Sequence, residues 1–244
     1  MPSSRTGRPT ASAPSDGGDP PNRGRKPAGR RRGGPGRRLF RYDRSLGVRF
    51  VAGADEAGRG CLAGPLVAAA VLFDLEALRP TDLRALAALD DSKRQTPAAR
   101  AELYPVILRL AAKVAIVSRC APGIDQRGLH VTNLAALRDA LLRVGRPGCI
   151  CLSDGFRVAA LGHEQRAVVG GDATSAAIAA ASVIAKETRD RYMRRADARH
   201  PGWEFAQHVG YSTPEHREAI ERLGLTPLHR LSFQSAAYQQ LSFG

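Results

Sequence analysis

The sequence predicts an α/β fold: a mixed central sheet flanked by helices, followed by a helical C-terminal region. Three observations carry this. Two apolar strand-like runs come first, around a tight glycine-rich turn. Short apolar runs then alternate with segments of helical periodicity, and one long late segment reads as a helix made largely of alanine.

Taken in order, residues 48–54 and 65–73 read as strands joined by the turn at 57–64. Residues 97–112 place Leu103, Val106, Ile107 and Leu110 at helical spacing, with Pro97 in the first turn, where its missing N–H costs nothing. Residues 113–120 form a short apolar strand. Residues 132–144 form a second helix with Leu134, Leu137, Leu141 and Leu142 on one side. Residues 149–152 and 167–169 are two further short strands. The long helix runs from about residue 174 to 199. Its small-residue first half can press closely on a sheet. Its second half carries Lys186, Arg189, Arg191, Arg194 and Arg195, which must be solvated or meet a polyanion.

The 244 residues are 43% hydrophobic, enough for a real core and for one ordinary domain. No apolar run reaches the roughly 18 residues of a membrane span. The first 38 residues contain no Leu, Ile, Val or Phe, which rules out a secretory core segment. The formal net charge is +14, which points first to nucleic acid, with plain solubility as the alternative. Residues 1–38 supply ten Lys/Arg against two Asp, together with seven Pro and eight Gly. Such a segment cannot bury enough surface to offset its ordering entropy. Residues 1–40 therefore read as a disordered basic arm, 48–235 as the folded domain and 236–244 as a tail. The arm is either a phosphate-contacting tether or a solvated extension; its Pro and Gly content argues against an amphipathic transit peptide. Cys61, Cys120, Cys149 and Cys151 form no C-x-x-C pair and read as buried thiols of a reducing compartment, without zinc. Cys149 and Cys151 would face the same way on one strand.

Four carboxylates stand at strand ends or tight turns: Asp55, Glu56, Asp154 and Asp172. Adjacent strand residues face opposite ways, so Asp55 and Glu56 can serve one site only if the chain twists or bulges there. Asp172 has a second reading as a helix N-cap. An all-oxygen set without a His/Cys alternative suits Mg²⁺ or Mn²⁺. Two such cations about 4 Å apart can activate water and stabilise the leaving oxygen of a phosphodiester. Without metal, like charges so close should raise at least one pKa.

From Ala54-Asp55-Glu56-Ala57-Gly58-Arg59-Gly60 and Leu62-Ala63-Gly64-Pro65 onward, the sequence resembles the ribonuclease HII family. The resemblance continues in order through Asp91-Ser92-Lys93, Ser153-Asp154-Gly155, Gly171-Asp172 and the block from Ile178 to Lys186. It ends with His208-Val209-Gly210-Tyr211-Ser212-Thr213 and His229-Arg230-Leu231-Ser232-Phe233. It implies a ribonuclease H-like fold and hydrolysis of RNA in RNA–DNA hybrids dependent on Mg²⁺ or Mn²⁺. It also implies incision 5′ of ribonucleotides embedded in duplex DNA, leaving 3′-hydroxyl and 5′-phosphate ends, by a cytoplasmic monomer. Asp55, Glu56, Asp154 and Asp172 fall on the family's catalytic metal ligands. Gly58, Arg59 and Gly60 fall on the loop that reads the ribose 2′-hydroxyl, and Tyr211 on the aromatic beside it. Lys93, Lys186 and Arg189 are candidate phosphate contacts, with a solvated face as the alternative. Lys186 and Arg189, three apart, would share a helix face. The family usually has Lys at the positions of Gly170 and Val209. Ribonuclease HIII is the competing relative, but it generally carries a folded N-terminal domain and a Gly-Lys-Gly loop. Gln240-Leu241-Ser242-Phe243 loosely resembles a sliding-clamp-binding motif with its final pair degraded; packing of the tail on its own domain is the other reading.

Overall fold

The computed structural model describes residues 34–91 and 94–233. Its strands are β1 (Phe50–Ala57), β2 (Leu66–Asp74), β3 (Lys113–Arg119), β4 (Cys149–Asp154) and β5 (Glu164–Val168). They form one sheet in the order β3-β2-β1-β4-β5. β1, β2 and β3 are an antiparallel meander, while β4 and β5 extend from β1 in parallel. The expected mixed sheet is therefore present. The helices are α1 (Pro35–Ser45), α2 (Pro80–Ala85), α3 (Pro97–Leu110), α4 (Ala121–Arg127), α5 (Leu129–Val144), α6 (Ala176–Asp197), α7 (Phe205–His208) and α8 (Pro214–Leu223).

Side-chain parity divides the core. Val51, Val67, Ala69, Val71, Phe73, Ile150 and Leu152 share one cluster with α6. Ala52, Ala54, Leu66, Ala68, Ala70, Leu72, Cys149 and Cys151 share another with α5. The period of two along each strand produces this split. The alanines of α6 let its backbone come very near the sheet. A Cβ at Gly53 would stand 2.2 Å from both Ala177 C and Ile178 N. Ser175 caps α6 by accepting the Ile178 N–H at 3.3 Å. Asp172 is thus not the cap but part of a separate 3-10 turn, Gly171–Ala173.

The arm is shorter than the sequence implies. Residues 35–40, expected to be disordered, belong to α1, and the folded part begins before residue 48. The reason is that Leu39 and Phe40 are the first large apolar side chains of the chain, and both are buried. The Phe40 ring meets Phe73 at 5.2 Å. Full burial of such side chains contributes about 1.5–3 kcal/mol each. Asp43, also buried, accepts the Ala177 N–H at 3.0 Å at the start of α6. Residues 1–33 and the tail from 234, including the clamp-like motif, lie outside the described residues.

β1 continues through Ala57 without a bulge, paired residue by residue with β2. The alternative of a bulge at Asp55 and Glu56 is excluded. Of the cysteines, Cys61, Cys149 and Cys151 are buried as expected but Cys120 is exposed, because it immediately precedes α4 at the end of the sheet's outer strand. The Sγ atoms of Cys149 and Cys151 lie 3.9 Å apart on one face of β4. Among the described residues no helix is long and apolar enough to cross a membrane.

Candidate active site

Register places the first two carboxylates side by side. β1 and β4 run parallel, and their last paired rung is Ala54 with Ser153. Asp55 and Asp154 each follow that rung. Both have the parity of the α6 side, since Val51 and Ile150 point there. Crevices beyond the carboxyl ends of parallel strands are where open α/β sheets collect functional groups. The turn holding Asp172 is tied to the same point: the Gly171 N–H donates to Asp154 Oδ1 at 2.8 Å. Glu56 has the opposite parity but interacts electrostatically with both Asp55 and Asp154.

The electrostatics are strained. Asp55 is only 6% exposed, and its Oδ1 accepts the Glu56 N–H at 2.8 Å. Burial pushes its pKa up to about 6, with repulsion from Asp154 adding to the rise; Lys186 and Ser182 oppose it. Lys186 Nζ stands 3.8 Å from Asp55 Oδ2 and donates to Ser182 Oγ at 2.6 Å. Burial also raises Glu56 to about 7, followed by repulsion from Asp55, while Arg59 and buried Asn133 pull it down. Arg59 Nη1 is 3.8 Å from Glu56 Oε1. Raised values are as expected, but burial outweighs like-charge proximity as their cause.

Among the described residues, no three His, Cys, Asp or Glu side chains form a ready-made metal cluster. The donor chemistry nevertheless fits a hard cation. All four groups are carboxylates, and two of them are held partly desolvated against their own charge. Mg²⁺ is commonly bound through one or two carboxylates plus substrate phosphates and does not require a closed protein cage.

The glycine loop sits beside the acids. Gly58 has φ +85, and a Cβ there would lie 2.0 Å from Arg189 Nε and 2.8 Å from the Pro65 carbonyl oxygen. Gly60 faces open space, so the loop's outer side can be approached closely. The Arg59 guanidinium lies 5.0 Å from the Phe156 ring centroid. Tyr211 is 48% exposed, and burial raises the pKa of its hydroxyl, which lies near Cys61. A cleft of about 170 Å³ runs between these parts, lined by Ala57, Gly58, Lys186, Asp190 and Tyr211 among others. Lys93 lies outside the described residues.

Arg189 is placed differently from the expectation that it meets phosphate. It is 1% exposed and donates to the carbonyls of Pro65 at 3.0 Å, Val209 at 2.7 Å and Ala63 at 2.9 Å. Its side chain leaves the helix toward the C-terminal region rather than toward solvent. Arg189 is a clamp between loops, and only Lys186 of the pair lies at the acids.

Several contributors have no role assigned from the sequence, although Arg230, His208 and His229 lie within the blocks that carry the resemblance. Arg230, fully buried, donates to the carbonyls of Gly64 at 3.2 and 3.0 Å and of Arg59 at 3.1 Å. His208, His216 and His229 pack around Phe205 under Tyr211. Their bonds fix a single proton arrangement. Thr226 N–H donates to His229 Nδ1 at 2.8 Å, so His229 Nε2 carries the proton toward His216 Nε2 at 3.2 Å. His216 Nδ1 in turn donates to the Tyr211 carbonyl at 2.8 Å. A lone histidine in sequence reveals none of this.

Comparison with known proteins agrees with the geometry. Residues 52–236 match the family model for ribonuclease HII. A ribonuclease HII of Nocardia farcinica is 52% identical over 190 residues, covering 78% of this chain and 73% of that one. The crystal structure of ribonuclease H2 from Pyrococcus horikoshii superposes with a TM-score of 0.67 at 25% identity, over 80% of this chain and all of that one. An Archaeoglobus fulgidus RNase HII, solved in complex with PCNA, gives a TM-score of 0.62 at 26% identity, over 74% of this chain and 92% of that one. With the family model reaching all five strands and all four carboxylates, and with half of the aligned residues identical to those of a ribonuclease HII, the chain belongs to the ribonuclease HII family and is a nuclease of the ribonuclease H type.

Proposed function

We propose that this endoribonuclease of RNA–DNA hybrids also incises duplex DNA 5′ of an embedded ribonucleotide, leaving 3′-hydroxyl and 5′-phosphate ends. The observation that carries the site is the pairing of Asp55 with Asp154 just past the last β1–β4 rung, with Asp172 tethered beside them through Gly171. Asp55, Glu56, Asp154 and Asp172 would hold Mg²⁺ or Mn²⁺. When bound, these cations supply charge neutralisation at the scissile phosphate and an activated water.

The chain's own residues do the remaining work. Partial burial keeps the carboxylates poorly hydrated, so their negative charge is available to a cation rather than spent on solvent. Lys186 sits beside Asp55 and offers a positive charge to an incoming phosphate. At Gly60 the Gly58-Arg59-Gly60 loop leaves its backbone open to close approach, as discrimination of a ribose 2′-oxygen requires. The half-exposed face of Tyr211 can pack on the adjacent sugar. Clamp contact through Gln240–Phe243 belongs to the same proposal, on the analogy of the archaeal complex.

The test is a duplex with one embedded ribonucleotide, incubated with Mg²⁺. Wild type should cut it 5′ of the ribonucleotide, and Asp55→Asn and Asp154→Asn should each abolish cutting while still binding the duplex. Cleavage of long hybrids alone would remove the single-ribonucleotide activity. Cleavage surviving both substitutions would remove the site assignment.

A further inference from the structure

We infer that the outer face of α1 is a docking surface for the phosphate backbone of the duplex that enters the site. Arg37, Arg38, Arg41 and Arg44 are all exposed on this helix, outside the segment that matches the family model. The only acid of α1, Asp43, is turned inward and fully buried. The helix therefore shows four guanidiniums outward and no carboxylate.

The patch combines a high density of guanidiniums on one short helix with a lack of neutralisation, whereas several other exposed arginines are paired. Arg49, Arg79, Arg94, Arg119, Arg166, Arg191 and Arg194 each have an acidic partner within 4 Å. Among the described residues, none of the four α1 arginines forms an ion pair. Arg37 with Arg41, and Arg41 with Arg44, stand at spacings where like charges repel and cost helix stability. That cost is offset when a polyanion lies across them. The arginines, with Phe40 and Leu83, line a concavity of about 370 Å³, so the surface is a trough rather than a ridge of free side chains.

Position favours the substrate's own backbone. Arg38 Nη2 donates to the Ala173 carbonyl at 3.1 Å, and Ala173 is next to Asp172. The patch thus begins one residue from a proposed metal ligand and continues away from it. From Arg37 to Arg44 the helix advances about 10 Å, a span that passes about three phosphates of one strand. This inference rests on the nuclease reading only for the identity of the polyanion.

The test compares the full-length chain with a triple variant, Arg37→Ala, Arg41→Ala and Arg44→Ala; Arg38 is kept because it holds Ala173. Binding of a labelled RNA–DNA hybrid is measured by anisotropy in chelator at several salt concentrations. Each lost phosphate contact lowers the slope of log K against log salt by about 0.9, so the triple variant should lose about 2 to 3 units of slope without a fall in its melting temperature. Arg→Lys at the same three positions should restore the slope. Equal slopes for wild type and the alanine variant would overturn the inference, and so would a loss that lysine does not restore. Incision of the hybrid by wild type is measured alongside. A cleaving wild type with equal slopes sinks this inference alone, whereas a non-cleaving wild type with a changed slope sinks the nuclease reading and leaves the docking surface standing.

Discussion

Replacing Arg189 tests whether the site's loops are fastened from within. Its guanidinium makes three bonds of 2.7 to 3.0 Å to buried loop carbonyls. Hydrogen bonds to charged groups contribute about 1.5–3 kcal/mol each. Lysine is a point charge that can keep one of them and loses the planar fork that reaches all three. Arg189→Lys should therefore cost about 3–6 kcal/mol, a large share of the roughly 5–15 kcal/mol that holds a domain folded. The same change frees the space beneath Gly58 and the cation that lies 5.9 Å from the Tyr211 ring centroid. Urea unfolding gives the stability loss as a lower midpoint, and steady-state cleavage should show KM rising more than kcat falls. A lysine variant within about 1 kcal/mol of wild type, with unchanged KM, would refute the clamp. If Arg189→Ala instead folded with wild-type stability and bound hybrid with a flatter salt dependence, Arg189 would be a phosphate contact after all.

Gly53→Ala drives a methyl into the α6 backbone at 2.2 Å, where nothing can rotate away; it should cost about 3 kcal/mol, the upper end for overpacking, and a melting temperature equal to wild type would contradict the packing. Glu56→Gln tests the buried charge. A carboxyl raised from 4.5 to about 7 binds more protons folded than unfolded, so native stability falls as pH rises through that window. In chelator the glutamine variant should gain on wild type between pH 5 and 8, and excess Mn²⁺ should reverse the gain; a pH-independent difference would contradict it. His216 and His229, lowered to about 4 mainly by burial, act oppositely: their stability is complete above about 6.5 and is lost as pH falls toward 4. Replacing His216 with Phe should flatten thermal stability across that acidic range, and an unchanged slope would show that the ring is not buried neutral.

What the sequence revealed and what it hid differ in kind. The long helix, the strand pair and Pro97 were legible because each is a local pattern: alanine spacing, apolar alternation, a missing N–H. α1 was not, because its eleven-residue window is mostly Arg, Gly and Pro, and Leu39 and Phe40 are its only large apolar side chains that are buried. Its order comes from Phe73 and Ala177, which are distant in sequence. Arg189 was misread for the same reason. Spacing fixes the helix face a side chain leaves from, but not that the carbonyls of Ala63, Pro65 and Val209 lie waiting there. Val209 shows a local rule overridden. A β-branched residue at φ +44 is costly, and the bond from Arg189 to its carbonyl holds it in place.

The adjacent acids Asp55 and Glu56 illustrate how a sheet can reconcile opposite parity without a bulge. In mid-sheet the two would be separated by the strand itself and by neighbours on both edges. Here β1 remains paired with β2 to Ala57, while its pairing with β4 stops at Ala54. For its last three residues β1 has one supported edge and one open edge. A ligand approaching the open edge meets side chains from both faces at once, with Asp154 at the end of the strand that stopped short. The β2 ladder supplies rigidity and the missing β4 partner supplies access. An additional rung between β1 and β4 would cover that edge and leave Glu56 behind the sheet. In the proposed assignment, the strand lengths, more than the acidic residues alone, are what would let three carboxylates on two strands serve one site.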